Sequence, residues 1–506
     1  MTPHPSTTRL SNPLSILLIA STGCALTVLD TNLVAIVLPT ISQEFRASFA
    51  DIEWVISSYV LCFASLLLPA GAIADRFGRR RIYLIGIISF AVTSLLCGLA
   101  PSAPALYMAR ALQGISAAFL LAPALAIIGH SFHDLQARNR AWAIWGSIMG
   151  LTMVIAPILG GFIAYTLGWR WAFYINVPIC IFLAGTVFLF IQESCDVSAR
   201  RLDPAGIVFF AASMFGLTWG LINGQATGWA SWGTLSGFAG GGLSIAMLII
   251  VELAQTHPML DLSLFIRLQF LGAVLAMFSY AATAQVMASM LPLFLQNGMG
   301  QSALQTGFEM LPFALAMLFF PHIGRLLERH LSSATILAIG LMLVAGGNAL
   351  AAWGAREAVW YTIMSGMIVL GSGGGLLNGE TQKAIMSVVP RERSGIASGI
   401  STTSRFTGIL LGFAILSGIL ATEVRRWVAT FGCGACQHPS IFADTVVAGD
   451  LPRTFIVIGD PARAITLEQA HRAFSHGFTF VLLGAAVFSF ISSITVFVLM
   501  KVGRRD

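Results

Sequence analysis

Apolar residues run through this chain in unbroken blocks of about twenty, cut by short polar or basic segments. A block of that length is what an α-helix needs to cross a hydrocarbon layer about 30 Å thick. The blocks fall near 15–38, 51–73, 82–99, 105–130, 141–166, 172–192, 204–223, 233–252, 269–295, 303–322, 333–353, 359–382, 395–421 and 475–500. Fourteen spans place both termini on one side of the layer. Residues 1–14 form a polar tail, and 501–506 form a second one. The first block is too long for the apolar part of a cleavable leader and carries Asp30, so it is expected to stay as the first span. The pattern predicts an all-α polytopic membrane protein.

Composition sharpens this reading. Of 506 residues, 57% are hydrophobic and only 10% charged, with mean hydropathy +0.83. Soluble domains carry about 25% charge. The net charge of +6 does not imply a nucleic-acid partner, because it is concentrated in short loops between spans. There it sets orientation, since basic loops stay in the cytoplasm. One set of alternate loops holds Arg76, Arg79, Arg80, Arg81, Arg138, Arg140, Arg200, Arg201, Arg267, Arg325, Arg329, Arg391 and Arg393, and the tail adds Lys501, Arg504 and Arg505. The short loops of the other set hold only Arg46, Arg170 and Arg356. Both termini are therefore expected in the cytoplasm of a bacterium, with the spans in its inner membrane. The long outside connection, 422–473, is exempt from the rule. Within it, Ile465 to Phe474 reads as a short amphipathic helix that Thr466 could cap.

Charged residues inside spans are costly and are functional suspects. Asp30, in LDTNLVAIVLP, has no sequence neighbour to pair with. It is either a proton or substrate site, or a structural acid bonded to Thr31 or Asn32. Arg110, in RALQGISAA of the fourth span, needs an acid, carbonyls or water. Asp30 is its natural partner. A protonatable acid beside a fixed guanidinium forms a switch, closed when ionised and loosened when protonated; the alternative is a permanent structural pair.

Between the second and third spans lies GAIADRFGRRR, from Gly71 to Arg81. Its order, Gly71-x-x-x-Asp75-Arg76-x-Gly78-Arg79-Arg80, resembles the signature loop of major facilitator superfamily transporters. The resemblance implies a cytoplasmic latch in which Asp75 faces a helix N-terminus or an Arg; otherwise the loop only sets topology. In the fifth span, Gly146, Gly150, Thr152, Ala156, Gly160 and Gly161, with Pro157 among them, are small residues that let helices approach closely. The stretch resembles the antiporter motif Gly-x-x-x-Gly-Pro-x-x-Gly-Gly, with Thr152 and Ala156 in place of the first two glycines. WRWAFYINVP (Trp169 to Pro178), LDTNLVAIVLP and the run Pro390 to Gly399 followed by Arg405 resemble segments of the fourteen-span drug:proton antiporters in that superfamily. The resemblance covers nearly the whole chain. It implies two six-helix bundles, 15–192 and 269–500, with two inserted helices in 193–268. GRLLER, Gly324 to Arg329, would be a second copy of the basic loop, with Glu328 in place of its Asp.

Weaker features remain. Glu309, two turns into the tenth span, could bind a cationic group or simply face water. Trp145 and Met149, with Trp142, Met153 and Phe278, are candidate lining for an apolar pocket. Glu380 and Lys383 either pair or snorkel to the interface. His130, His133 and Asp134 have metal-like spacing but no third strong ligand nearby, and no metal or other cofactor is expected. Cys433 and Cys436 could form a disulfide in the outside loop. The remaining cysteines in spans read as small core residues.

The sequence thus points to proton-coupled efflux of small, largely apolar or amphipathic compounds by alternating access. The rival on the same fold is a dedicated exporter or importer of one metabolite. An enzyme or sensor would need a catalytic constellation or a signalling domain, and neither is legible. A periplasmic adaptor cannot be read from the chain.

Overall fold

A computed structural model describes residues 12–132, 134–195, 203–255, 262–389, 394–431, 439–449 and 463–503. Among the described residues, fourteen helices are long and apolar enough to cross a membrane. In chain order they are α1 (Pro13–Phe45), α2 (Phe49–Phe77), α3 (Arg79–Gly98), α4 (Ala103–Ser131), α5 (Leu135–Thr166), α6 (Trp171–Phe190), α7 (Pro204–Thr227), α8 (Trp232–Ala254), α9 (Leu268–Asn297), α10 (Ala303–Leu327), α11 (Ser333–Glu357), α12 (Trp360–Val388), α13 (Ser394–Phe431) and α14 (Arg463–Val502). With an even number of spans, the start of α1 and the end of α14 lie on one face, here the terminal face; the opposite one is the far face.

Local chemistry sets the helix starts. Asn12, Ser48, Ser102, Asp134, Asp203, Ser231, Ser302 and Ser332 each accept a backbone N–H of the first turn through a side-chain oxygen. Asp134 therefore serves as a cap at α5, and His133 lies outside the described residues. Ser48 and Asp51 close a reciprocal capping box at α2, and Ser302 and Gln305 close one at α10.

The packing repeats. The contacts α2–α4, α3–α4, α1–α5 and α3–α6 in the first half recur as α10–α12, α11–α12, α9–α13 and α11–α14 in the second. Helices α7 and α8 pack on each other, and α7 also touches α2 and α13. The inserted pair thus flanks the seam between the halves. In lipid, close helix approach stands in for a hydrophobic driving force. Gly86 lies against the Phe119 carbonyl and Gly114 against that of Tyr59, where no Cβ would fit.

Several elements differ from the sequence expectations. The helix that carries the last span begins well before 475: α14 is continuous from Arg463, so Ile465 to Phe474 is its first part rather than a separate capped helix, and Thr466 lies inside it. Likewise α13 continues to Phe431, past the charged Glu423, Arg425 and Arg426. A further helix, Pro439–Ala448, occupies the connection. Helical backbone satisfies its own polar groups, so these helices extend beyond the apolar zone without penalty. Cys433 and Cys436 lie outside the described residues. Helix α9 contains a π-helical turn, Ala281–Gln285, that no sequence feature announced.

Candidate functional site: a buried ionic cluster and the seam between halves

Asp30 and Arg110 meet. Asp30 sits midway along α1, and the carboxylate Oδ2 accepts from Arg110 Nη1 at 2.6 Å. Both side chains are buried, at 0% and 1% exposure. Two amides complete the carboxylate: Gln113 Nε2 donates to Oδ1 at 2.9 Å and Asn176 Nδ2 at 2.8 Å. Gln113 stands one turn after Arg110 on the same face of α4, and its Oε1 accepts from Arg110 Nη1 at 2.7 Å. Its Nε2 also donates to Ser94 Oγ of α3 at 2.8 Å. Arg110 Nε donates to the Val55 carbonyl of α2 at 3.2 Å. The guanidinium lies 4.1 Å from the Tyr59 ring centre, a cation–π distance.

This cluster ties α1, α2, α3, α4 and α6 together inside the first half. A carboxylate stripped of water is stable only with such compensation. Adding a proton to Asp30 would forfeit the charge-assisted bond to Arg110 while leaving the two amide donors. The cluster thus compensates a buried carboxylate with one charged and two neutral donors. The expected Asp30–Arg110 pair is present; Gln113, Asn176, Ser94 and the Tyr59 ring were not singled out from sequence. Gln113 lay in the RALQG stretch and Asn176 in WRWAFYINVP, so the signal was in view: polar amides inside apolar spans.

That segment is positioned from the far face. Trp169 is buried, packs edge-on against Phe45 at 5.3 Å and donates its Nε1 to Glu44 at 2.6 Å. Arg170 pairs with the other Glu44 oxygen. Tyr174 donates to the Gly98 carbonyl at 2.9 Å. Pinned at these points, α6 delivers Asn176 to Asp30.

At the terminal face, Asp75 Oδ1 accepts from Arg79 Nε at 2.7 Å, so the expected Arg partner is one turn away on the same loop. Gly78 adopts φ 110°, a left-handed value that favours glycine, and its α-carbon faces the Glu193 carboxylate. That carboxylate accepts from the backbone N–H groups of Arg80 and Arg81 at 3.0 and 3.1 Å, capping α3 from a distance. Arg80 Nη2 donates to the Phe188 carbonyl at 2.6 Å and its guanidinium lies over the Phe188 ring. Arg76 lies over the ring of Phe77. Gly71 faces Ala122 at ordinary contact distance. In this conformation the loop is braced against its own half. The second-half echo is also occupied: Lys383 Nζ binds Glu328 at 2.7 Å and Glu380 at 3.7 Å, so Lys383 pairs with both acids while half its surface stays exposed.

The glycine-rich face of α5 divides in two. Toward the far face, Gly161 abuts the Ala303 carbonyl of α10, and the Pro157 carbonyl abuts Gly307, both across the seam between halves. Gly160 packs on Leu33 and Ile36 of α1, and Ala156 is fully buried. Gly150 faces the flexible side chain of Leu318, and Gly146 has open space around it. Thr152 turns its hydroxyl back to the Ile148 carbonyl at 2.8 Å. Met149 is buried, and Trp145 packs edge-on against Trp142. Glu309 ends the first segment of α10, where the helix breaks at Met310, with one carboxylate oxygen buried and without a hydrogen-bond partner among the described residues.

Further hydrogen bonds cross the seam near the far face. Gln296 Nε2 donates to the Ile36 carbonyl at 3.0 Å, Gln43 Nε2 lies 3.5 Å from the Gly449 carbonyl, and Ser417 meets Glu53. In the second half, Arg405 Nε donates to Gln285 of the π-helical turn at 2.8 Å.

Residues 20–413 match the family model described as Major Facilitator Superfamily. The chain is 33% identical over 413 residues to the multidrug resistance protein Stp of Mycobacterium tuberculosis, covering 81% of this chain and 76% of that protein. It is 31% identical over 468 residues to the multidrug efflux pump LfrA of Mycolicibacterium smegmatis, covering 91% and 92%. It is 29% identical over 478 residues to the tetracenomycin C resistance and export protein of Streptomyces glaucescens, covering 92% and 83%. Among solved structures, a bacterial homologue of the human lysosomal transporter Spinster, inward-facing and occupied, aligns with a TM-score of 0.65 at 17% identity over 99% of this chain and 98% of that one. Repeated six-helix halves, an intramembrane Asp–Arg cluster, the basic loop after α2 and these matches lead to one assignment: the chain belongs to the major facilitator superfamily, among its fourteen-span drug:proton antiporters.

Proposed function

We propose that this protein exports small, largely apolar or amphipathic compounds across the bacterial cytoplasmic membrane in exchange for protons. The observation that carries the reading is the buried Asp30–Arg110–Gln113–Asn176 cluster. Nothing in a static channel calls for a buried acid with such a switchable partner. The names of the relatives, which include multidrug and antibiotic exporters, support the substrate class. Lipid, a small-molecule substrate and protons are then the partners.

In the cycle, Asp30 is ionised and paired when the far face is shut. Substrate enters from the terminal face, the halves rock, and a proton from the far side then neutralises Asp30 and frees Arg110. One proton moving inward across 100 mV supplies about 2.3 kcal/mol, before any pH gradient. The contacts of Gly161, Gly307, Gln296 and Gln43 make the far face the closed one here. This matches an inward-facing state if the termini are cytoplasmic.

Two experiments bear on the orientation and the loop. A reporter active only in the cytoplasm is expected to work when fused at Asp506, and one active only in the periplasm when inserted after Gly449; a silent fusion at Asp506 reverses the topology. Asp75→Asn is expected to cut export severalfold at unchanged membrane level, because a latch built on charge fails when the charge goes. Full transport at normal protein level would leave the loop only its role in topology.

A further inference from the structure

The cycle above uses one acid, yet the seam holds another. Glu53, in the second turn of α2, is 1% exposed. Its Oε1 meets the hydroxyl of Ser417, which belongs to α13 in the other half. Its Oε2 is buried and, among the described residues, has no hydrogen-bond partner.

The geometry at Ser417 favours one charge state. The serine oxygen lies 2.7 Å from the Phe413 carbonyl one turn earlier in α13. A helical serine commonly gives its single proton to that carbonyl. The side of the oxygen that faces Glu53 is then an acceptor, and only a protonated carboxyl can bond to it. An ionised Glu53 would instead sit dry, with at most one donor and an unpaired second oxygen.

The other groups on the elements packed against α2 do not relieve this. On α4, Arg110 is held by Asp30, and Tyr107 offers its backbone carbonyl to Ser58. On α3, Cys97 donates to Gln113, and Arg79 at the terminal face pairs with Asp75. On α13, Arg426 pairs with Glu423 at 2.6 Å, and Arg425 pairs at 2.9 Å with Asp444 of the short helix. Helix α7 carries no charged residue. On α2 itself, Asp51 caps the helix start and Tyr59 stacks on Arg110.

We propose that Glu53 is a second proton-binding site, and that its proton holds the far face shut. When the halves part there, the carboxyl meets water and releases H⁺ to it; when they close, it takes H⁺ from the same water and bonds to Ser417. The proton returns to the side it came from, so Glu53 is not a second carrier. It makes closure depend on external pH, biasing the protein toward the loading state when the outside is acid. This rests on the alternating-access reading and on the far face being the outer one.

The test reads conformation and needs no substrate. Leu99 and Phe431 are exposed at the far face on opposite halves. Spin labels at Leu99→Cys and Phe431→Cys, in an otherwise cysteine-free full chain, report the opening by pulsed electron resonance between pH 5 and 9. A single linked proton should change the open-to-closed ratio by about tenfold per pH unit through the transition. Glu53→Gln should stay closed and lose this dependence, whereas Asp30→Asn, which is expected to abolish coupled transport, should keep it. If Glu53→Gln responds to pH as the wild type does, or if Asp30→Asn alone removes the response, the proposal is overturned while Asp30 coupling stands. Should Glu53→Gln fail to reach the membrane, Ser417→Ala decides: its midpoint should move to more acid pH, and an unchanged midpoint refutes the site.

Discussion

Asp30→Asn is expected to abolish uphill export while leaving the protein in the membrane at near-normal level. The amide is nearly isosteric with the carboxyl and retains an oxygen for Arg110 Nη1, which now lies 2.6 Å from Oδ2. What it lacks is a proton to bind and a charge to release. Its amide nitrogen would also face the donors of Gln113 or Asn176, so the cluster loosens without emptying. Downhill exchange of a fluorescent amphipath such as ethidium should therefore survive at a reduced rate, and accumulation against a gradient should not. Arg110→Ala is the harsher change. It leaves Asp30 buried without its counter-ion, for which broken buried pairs cost about 3–5 kcal/mol. Arg110→Lys should not rescue it, because a single ammonium cannot reproduce the fixed fork that joins Asp30, Gln113 and the Val55 carbonyl. Export in inverted vesicles, normalised to protein level, separates these outcomes. Wild-type uphill transport by Asp30→Asn would make Asp30 structural and move attention to Glu309.

Gly307→Val and Gly161→Val form the second large prediction. Each Cβ would overlap a backbone carbonyl of the opposite half, that of Pro157 or Ala303, and backbone cannot swing aside as a side chain can. Overpacking costs about 1–3 kcal/mol, which corresponds to roughly a 5- to 150-fold shift between states. The penalty falls only on the state closed at the far face. Both variants should thus insert and fold, stay open at that face, and export at least about tenfold more slowly for the upper half of that range. Gly146→Ala is the control from the same helix: there the added methyl meets open space, and transport should hardly change. Equal damage from all three would mean that the motif acts through helix flexibility rather than through close approach.

That contrast marks where sequence was sufficient. Fourteen apolar blocks made the spans legible, because hydrocarbon forces every span to satisfy its own backbone; the division into halves came from the resemblance, not from the blocks. Asp30 and Arg110 were legible for the same reason: a charge inside a span demands a partner, and each was the obvious one for the other. Glu53 was not. It lies in DIEW at a helix start, two residues from the capping Asp51, where an acid reads as ordinary first-turn chemistry. The packing of the helices around α2 buries it and sets Ser417 of α13 against its carboxyl. Gly146 and Gly161 look alike as small residues of α5, and only the neighbouring helix tells them apart. The extensions of α13 and α14 were hidden because the charges at Glu423 to Arg426 and Glu468 to Arg472 mark the limit of the apolar zone, not of the helix.

Proton exchange is the central claim, and one measurement reaches it directly. Reconstitute the wild type in liposomes carrying a pH-sensitive dye, impose a pH gradient with no membrane potential, and record lumenal pH and ethidium together. Coupled antiport predicts that adding ethidium on the side opposite the higher proton concentration dissipates the pH gradient as ethidium accumulates where protons are abundant, and that Asp30→Asn does neither. Ethidium movement that stops at equal concentrations, with the pH gradient untouched in the wild type, would contradict the account.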